Sequence, residues 1–282
     1  NTTSVGTYGN TSHVPVITVD SYGRVSGVTN TSITALVDGS YNLTLSGGAL
    51  TTNATSFTLA NGAVIKDTGD NAVSFGENAG TVSQGSQAVA IGDSAGYNNQ
   101  GAFGVAIGYG AGNQNQGQVA IAIGLNAGSG TQATNAIAIG NLAGNASQGQ
   151  SSIAIGSNAG QTNQAAGAIA IGQNAGNLNQ ETNTVAIGQG AGATTQNTYA
   201  VAVGYNAGYT GQGSLTVAIG MQAGYTGQQY NAIAIGVQAG QSNQQANGIA
   251  IGEGAGWISQ QANAVSIGYY AGQQSQGIAS VA

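Results

Sequence analysis

Apolar and polar positions alternate in short bursts along most of this chain, and the bursts recur at a fixed spacing. Each is a run of small and branched apolar residues closed by a glycine, as in Ala136-Ile137-Ala138-Ile139-Gly140. The closing glycines run from Gly76 and Gly92 to Gly268, always 16 residues apart, and mark 13 repeats without an insertion or deletion. Period-two alternation of branched residues predicts a strand that ends at the glycine. The Asn, Gln, Ser, Thr and Gly that follow predict turns. A second glycine, always after an alanine, stands four residues beyond the first, and a glutamine eight beyond it, as Gly144 and Gln148 follow Gly140. A unit of 16 residues holds two short strands and two turns. The pattern therefore predicts an all-β, repetitive parallel β-solenoid or β-roll, each coil stacked on the next. At about 4.8 Å per coil, the rod is on the order of 60 Å long.

Both faces of the repeating strand are apolar: Ile137 and Ile139 share one, Ala136 and Ala138 the other. The larger pair is expected to fill the coil interior. The alanine face would then lie outside, small and flat enough to pack against another chain, which predicts an oligomer. Gly140 and Gly144 represent corners that need positive φ or close backbone approach. The Gln148 column predicts a ladder of stacked side-chain amides. Such columns are architectural, since a catalytic residue is not needed 13 times in register.

Residues 1–70 lack the period and are read as an N-terminal β module, a fibre-like cap or connector. Within it, 14–20, 21–23 and 24–28 predict strand, turn and strand, with Pro15 at a strand start or edge. Further strands are expected at 41–45, 56–59 and 63–66. Residues 71–282 are the repeat domain. The chain stops at 280–282, the opening of another unit, and so reads as a segment of a longer fibre.

Composition narrows the function. With 2 basic and 8 acidic residues among 282, phosphate neutralisation has little to work with, and no nucleic-acid partner is expected. There is no cysteine and one histidine, so neither disulfides nor Cys/His metal sites are available. No apolar run approaches a membrane span, so this segment is not expected to insert in a bilayer. No phosphate-loop motif occurs, no cofactor is expected, and no paired-carboxylate or triad arrangement stands out, so the chain is not read as an enzyme. His13, beside Ser12 and Pro15, is read as a surface residue.

The aromatics are the candidate contact residues for a ligand or receptor. Tyr97, Tyr209, Tyr225 and Trp257 each stand five positions after a strand-ending glycine, and Tyr109, Tyr205 and Tyr269 one position after. These are turn positions, and Tyr205, Tyr209 and Tyr225 fall on adjacent coils. Exposed aromatic faces stack on sugars or anchor a protein partner. Acceptor sequons for N-glycosylation begin at Asn10, Asn30, Asn42, Asn53 and Asn145.

Two stretches resemble known families. The units such as Asn135-Ala136-Ile137-Ala138-Ile139-Gly140 resemble the head repeats of trimeric autotransporter adhesins of the YadA type, over roughly residues 71–282. That resemblance implies a left-handed parallel β-roll in which three chains pack together. The constant Ala-Gly pair, constant Gln and unvarying period depart from that family. Gly6-Thr7-Tyr8-Gly9, residues 14–20 and Gly23-Arg24-Val25 look like a module of phage and large-virus tail fibres. Together the two imply a homotrimeric extracellular fibre on a cell or virion, with a host-surface glycan or protein as receptor. The alternatives are a self-assembling extracellular filament or sheath, and, less favoured, an ice- or polysaccharide-binding solenoid; no Thr-x-Thr column supports ice binding.

Arg24 and Lys66 are the two basic residues, so trypsin finds no site within 67–282. Digestion, even of denatured chain, is expected to leave that stretch as one fragment by mass spectrometry; a ladder of smaller tryptic pieces would contradict this.

Overall fold

The computed structural model describes Thr7 and residues 13–32, 56–58, 64–67 and 71–282. The chain divides into two compact units, Asn1–Asn53 and Ala54–Ala282. In the first unit, β1 (His13–Val19) and β2 (Val25–Ser32) form the expected antiparallel hairpin. Its turn closes when Asp20 N donates to Arg24 O at 2.8 Å and Gly23 N to Asp20 O at 2.9 Å. The Asp20 carboxylate accepts from the Arg24 and Tyr22 amides and from Arg24 Nε. The Arg24 amide is the largest influence holding its carboxyl below the usual range, with the Arg24 side chain and Tyr22 amide acting the same way. The expected strand at 41–45 lies outside the described residues.

In the second unit, β3 (Ser56–Thr58) and β4 (Val64–Asp67) are the strands expected at 56–59 and 63–66. They pair antiparallel, and β4 runs antiparallel to β5 (Val73–Phe75), the strand of the first repeat. From β5 onwards every pairing is parallel, and each residue sits beside its equivalent 16 positions on, as Ile121, Ile137 and Ile153 do. The repeats wind into a parallel β-solenoid of about 12 coils. The second strand of each unit builds the opposite wall, a 9-stranded parallel sheet that continues as single bridges at Thr226, Ser242, Ile258 and Gln274. Backbone amides run between coils at the turns as well; Gly144 N donates to Ala159 O at 2.9 Å.

The structure reverses the expected facing of the strand. Ala136, Ala138 and Ala143 are fully buried inside the coil. Ile137 and Ile139 point outward and are half-buried, and Ile155 and Ile187 are 36% and 38% exposed. The reason is the thickness of the coil. A Cβ placed on Gly144 would stand 3.2 Å from the Ala138 Cβ and 2.7 Å from Gln148 Oε1. The walls thus approach to within about one methyl group of each other, and isoleucine cannot enter. Alternation alone is symmetric between the two faces, so side-chain size against wall spacing decides. Where the Ala136 column carries a hydroxyl instead, Ser152, Thr184 and Thr216 each donate to the carbonyl three residues back.

Two glycine columns follow from the same closeness. Gly140 has φ +128, and a Cβ there would meet Gly156 O of the next coil at 2.7 Å. That neighbour is backbone and cannot move aside. Gly144 has φ +53, and its missing side chain is the space into which the Gln148 amide fits.

The glutamines span the interior. Gln196 Nε2 donates to Val185 O across the coil at 2.8 Å and to Gln212 Oε1 of the next coil at 3.1 Å. Gln180 Nε2 in turn donates to Gln196 Oε1 at 3.1 Å. This expected ladder runs unbroken from Gln164 to Gln276 and again from Gln116 to Gln148. At the breaks, Gln116 Oε1 and Gln164 Oε1 are buried without a partner. A filled link satisfies the amide at both ends, which is what a buried polar group requires.

The turns need left-handed backbone at several positions per coil, and Asn or Gly commonly fill them, as at Asn126, Asn158, Gly190 and Asn206. Val119 is a branched residue in that conformation, at φ 59. Its equivalent in the next coil is Asn135, at φ 60.

Two outcomes are expected. Gln196→Glu puts a carboxyl in the ladder, where burial raises its pKa above the unfolded value of about 4.3. The variant should therefore approach the parent's stability below that pH and lose stability as pH rises, whereas equal losses in urea titrations at pH 3.5 and pH 7.5 would contradict the buried ladder. Val119→Asn relieves the branched left-handed site and should stabilise by about 1 kcal/mol; an unfolding midpoint at or below the parent's would count against it.

Candidate functional site

Apart from Phe75 on β5, the aromatic positions of the repeat lie on the turns that join the two walls, away from the Ala/Gln interior. Tyr97, Tyr109, Tyr205 and Tyr269 are exposed, and Tyr209, Tyr225 and Trp257 are partly covered. Column position explains the difference. Residues five after the strand-ending glycine stack on their equivalents, so Tyr209 and Tyr225 cover each other, while Trp257 packs against Gln241 and Tyr270.

The structure brings together three of the candidates. The Tyr209 and Tyr225 rings stack with centroids 5.2 Å apart and planes 13° from parallel. Tyr205 stands at the rim of the same groove, which encloses about 450 Å³. The hollow arises because one coil carries its smallest turn residues there. Gly190 and Ala193 occupy columns where the neighbouring coils place Asn174, Asn206, Asn177 and Tyr209. Gly190 is buried: a Cβ there would run into Asn206 Oδ1 of the next coil and lie 3.6 Å from Tyr209 Cδ2.

A second aromatic group forms around Tyr270, which sequence reasoning did not single out. Its ring meets Tyr269 edge-on at 4.5 Å and Trp257 at 6.2 Å. Trp257 Nε1 donates to Gln241 Oε1 of the preceding coil. The spacing rule missed Tyr270 because it sits two residues after Gly268, in a column mostly filled by turn formers such as Asn206 and Gly254. Tyr97 and Tyr109 have no aromatic partner among the described residues.

Electrostatically the tyrosine groove is neutral: no charged residue lines it. Two acids of the rod are engaged locally on its turns. Glu181 Oε2 accepts from Thr198 N at 3.0 Å and Thr198 Oγ1 at 2.7 Å on the next coil, and Asp93 Oδ1 accepts from Ser94 Oγ at 2.8 Å. Among the described residues no three His, Cys, Asp or Glu side chains gather where they would hold a metal ion. The His13 side chain lies outside the described residues. So do Asn10, Asn42 and Asn53, together with the Asn30 side chain. Of the sequons, Asn145 is visible: its Nδ2, the atom that would carry a glycan, donates to Asn126 O at 3.0 Å and Ser129 Oγ at 3.3 Å. Attaching a sugar would disturb both bonds.

Gly140, Gly144 and Gln148 have the structural places described above. No family model, curated protein or solved structure matches the chain. What geometry alone defines is a class of architecture: a repetitive parallel β-solenoid, with a neutral, aromatic-walled groove on its turns and a long apolar sheet face beside them.

Proposed function

We propose that this chain is a structural fibre or stalk of a cell or virion surface that mediates attachment, and that it assembles as a homotrimer. The observation that carries the assembly is the outer face of the long sheet. From Val73 to Ile267 every outward position of its repeat strands is Val or Ile, Phe75 apart. These half-exposed columns form one flat apolar strip on the order of 1,000 Å², larger than the patches monomers usually leave open. It matches what one partner buries in a stable interface, about 800 Å². The oligomer expected from the alanine face therefore rests instead on the Ile/Val face. Three copies, rather than two, follow the likeness of the repeats to trimeric adhesin heads. The extracellular setting and attachment role rest on that likeness, on the tail-fibre-like N-terminal stretch, and on a rod without tryptic sites.

A filament or sheath uses the same face, because in-register columns of identical residues accept further copies. Light scattering separates the readings. The trimer is expected at three times 27.3 kDa, independent of concentration. Ile139→Lys combined with Ile171→Lys should reduce it to single chains with the coil intact by circular dichroism. A monomeric parent would overturn the trimer, and a mass that climbs with concentration would favour the filament.

A further inference from the structure

We propose that the groove walled by Tyr205, Tyr209 and Tyr225 is a binding site for an uncharged saccharide segment. The inference deepens the attachment reading, on which its biological sense rests, by naming the ligand chemistry.

Three features of the groove converge on that class. The first is an aromatic wall. Tyr225 covers one face of the Tyr209 ring and the buried Gly190–Ala193 coil lies under the other, while the exposed Tyr205 ring stands at the rim. The stacked pair is held in place beside Tyr205, so little side-chain freedom is lost when the apolar face of a pyranose settles against this wall. The second is a set of idle polar groups. The side chains of Gln189 and Asn206 and the Tyr205 hydroxyl form no hydrogen bond with other described residues, although they line the same hollow. An amide offers a donor and an acceptor side by side, the pairing that vicinal sugar hydroxyls satisfy. Asn174 adds a third amide, of which Oδ1 is engaged by Asn158 Nδ2 at 3.2 Å and Nδ2 is left for a ligand.

The third is charge. No ionised group lines the groove, so a sulfate, phosphate or uronate would be desolvated there without a counter-ion. The chain's net charge of −6 further disfavours acidic polymers. At about 450 Å³ the hollow is within the range of small-molecule sites, roughly 300–1,000 Å³. None of its lining residues belongs to the Ile/Val columns, so assembly through that face does not consume it.

The coil repeat supplies a clean variant. Gly190→Asn places the residue found at Asn174 and Asn206 into the same column and the same left-handed conformation, where its Cβ meets the Asn206 amide oxygen first and forces that flexible side chain aside. Tyr209→Ala removes the stacked wall. Tyr97→Ala, at the equivalent column position on a distant coil, is the control.

The chain would be run by native affinity electrophoresis through gels containing one neutral polysaccharide each: an α-glucan, a β-glucan, a mannan and a galactan. A sulfated galactan gel serves as the charged comparison. Retardation is expected in at least one neutral gel, weakened at least tenfold by Gly190→Asn and by Tyr209→Ala and unchanged by Tyr97→Ala, with all variants matching the parent's circular dichroism. Passage through every neutral gel without retardation, retardation in the sulfated gel alone, or retardation that Gly190→Asn leaves intact would each overturn the site. Oligomeric mass is read separately. A trimer that binds no neutral glycan sinks the groove and spares the fibre, and a monomer that binds one does the reverse.

Discussion

The two walls of this solenoid stand so close that their interior admits a methyl group and the flat end of an amide, and little else. Most of the structure depends on that spacing. It puts Ala138 and Ala143 inside and expels Ile137 and Ile139, and it requires Gly144, whose absent side chain leaves the slot for Gln148. A buried alanine methyl contributes only on the order of 1 kcal/mol, so apolar burial within one coil is a weak source of stability. The glutamine offsets this. Its Nε2 ties one wall to a main-chain carbonyl of the other, as Gln196 does to Val185, and links that coil to the next through Gln212. Each amide is polarised by the one before it, so the column gains from its own continuity.

Much of this was legible in the amino-acid sequence because the repeat is exact. Strand ends, corners, the coil length and the amide ladder all follow from residues that recur 16 apart, since a position that never varies in 13 stacked copies must meet the same constraint in each. What could not be read was which side of the strand faces inward. Ile137 and Ala138 alternate identically under either facing, and only the distance between walls, a property of the closed coil, separates them. The groove shows the same limit from the other direction. Spacing placed Tyr205, Tyr209 and Tyr225 on neighbouring coils, but the hollow they enclose is made by Gly190 and Ala193, residues that look like ordinary turn formers until their columns are compared. Tyr270 escaped notice for a related reason: its turn position is one that Asn, Gly or Gln commonly hold.

The division of labour between faces also explains the sparse charge. Inside, ionised groups would be desolvated; on the outer sheet they would interrupt the apolar strip. That leaves the turns, where Glu181 braces Thr198 of the next coil and Asp93 holds Ser94. Turns are likewise where variation is cheap, because a residue there meets its own equivalents and solvent rather than the opposite wall. A local feature such as the tyrosine groove can arise by changing a few turn residues on one or two coils, with the scaffold beneath it untouched.

The amide column has one further property. The backbone bonds between coils point both ways along the axis, as when Gly144 N donates forward to Ala159 O while Gly140 N donates backward to Ile123 O, so their dipoles largely cancel. The glutamine links do not alternate: from Gln164 to Gln276 each donates to the next coil. Their dipoles add. A rod built of near-identical coils is thus electrically polar from within, with an oxygen-tipped end and an N–H-tipped end, and carries a sense of direction that neither its surface nor its net charge discloses.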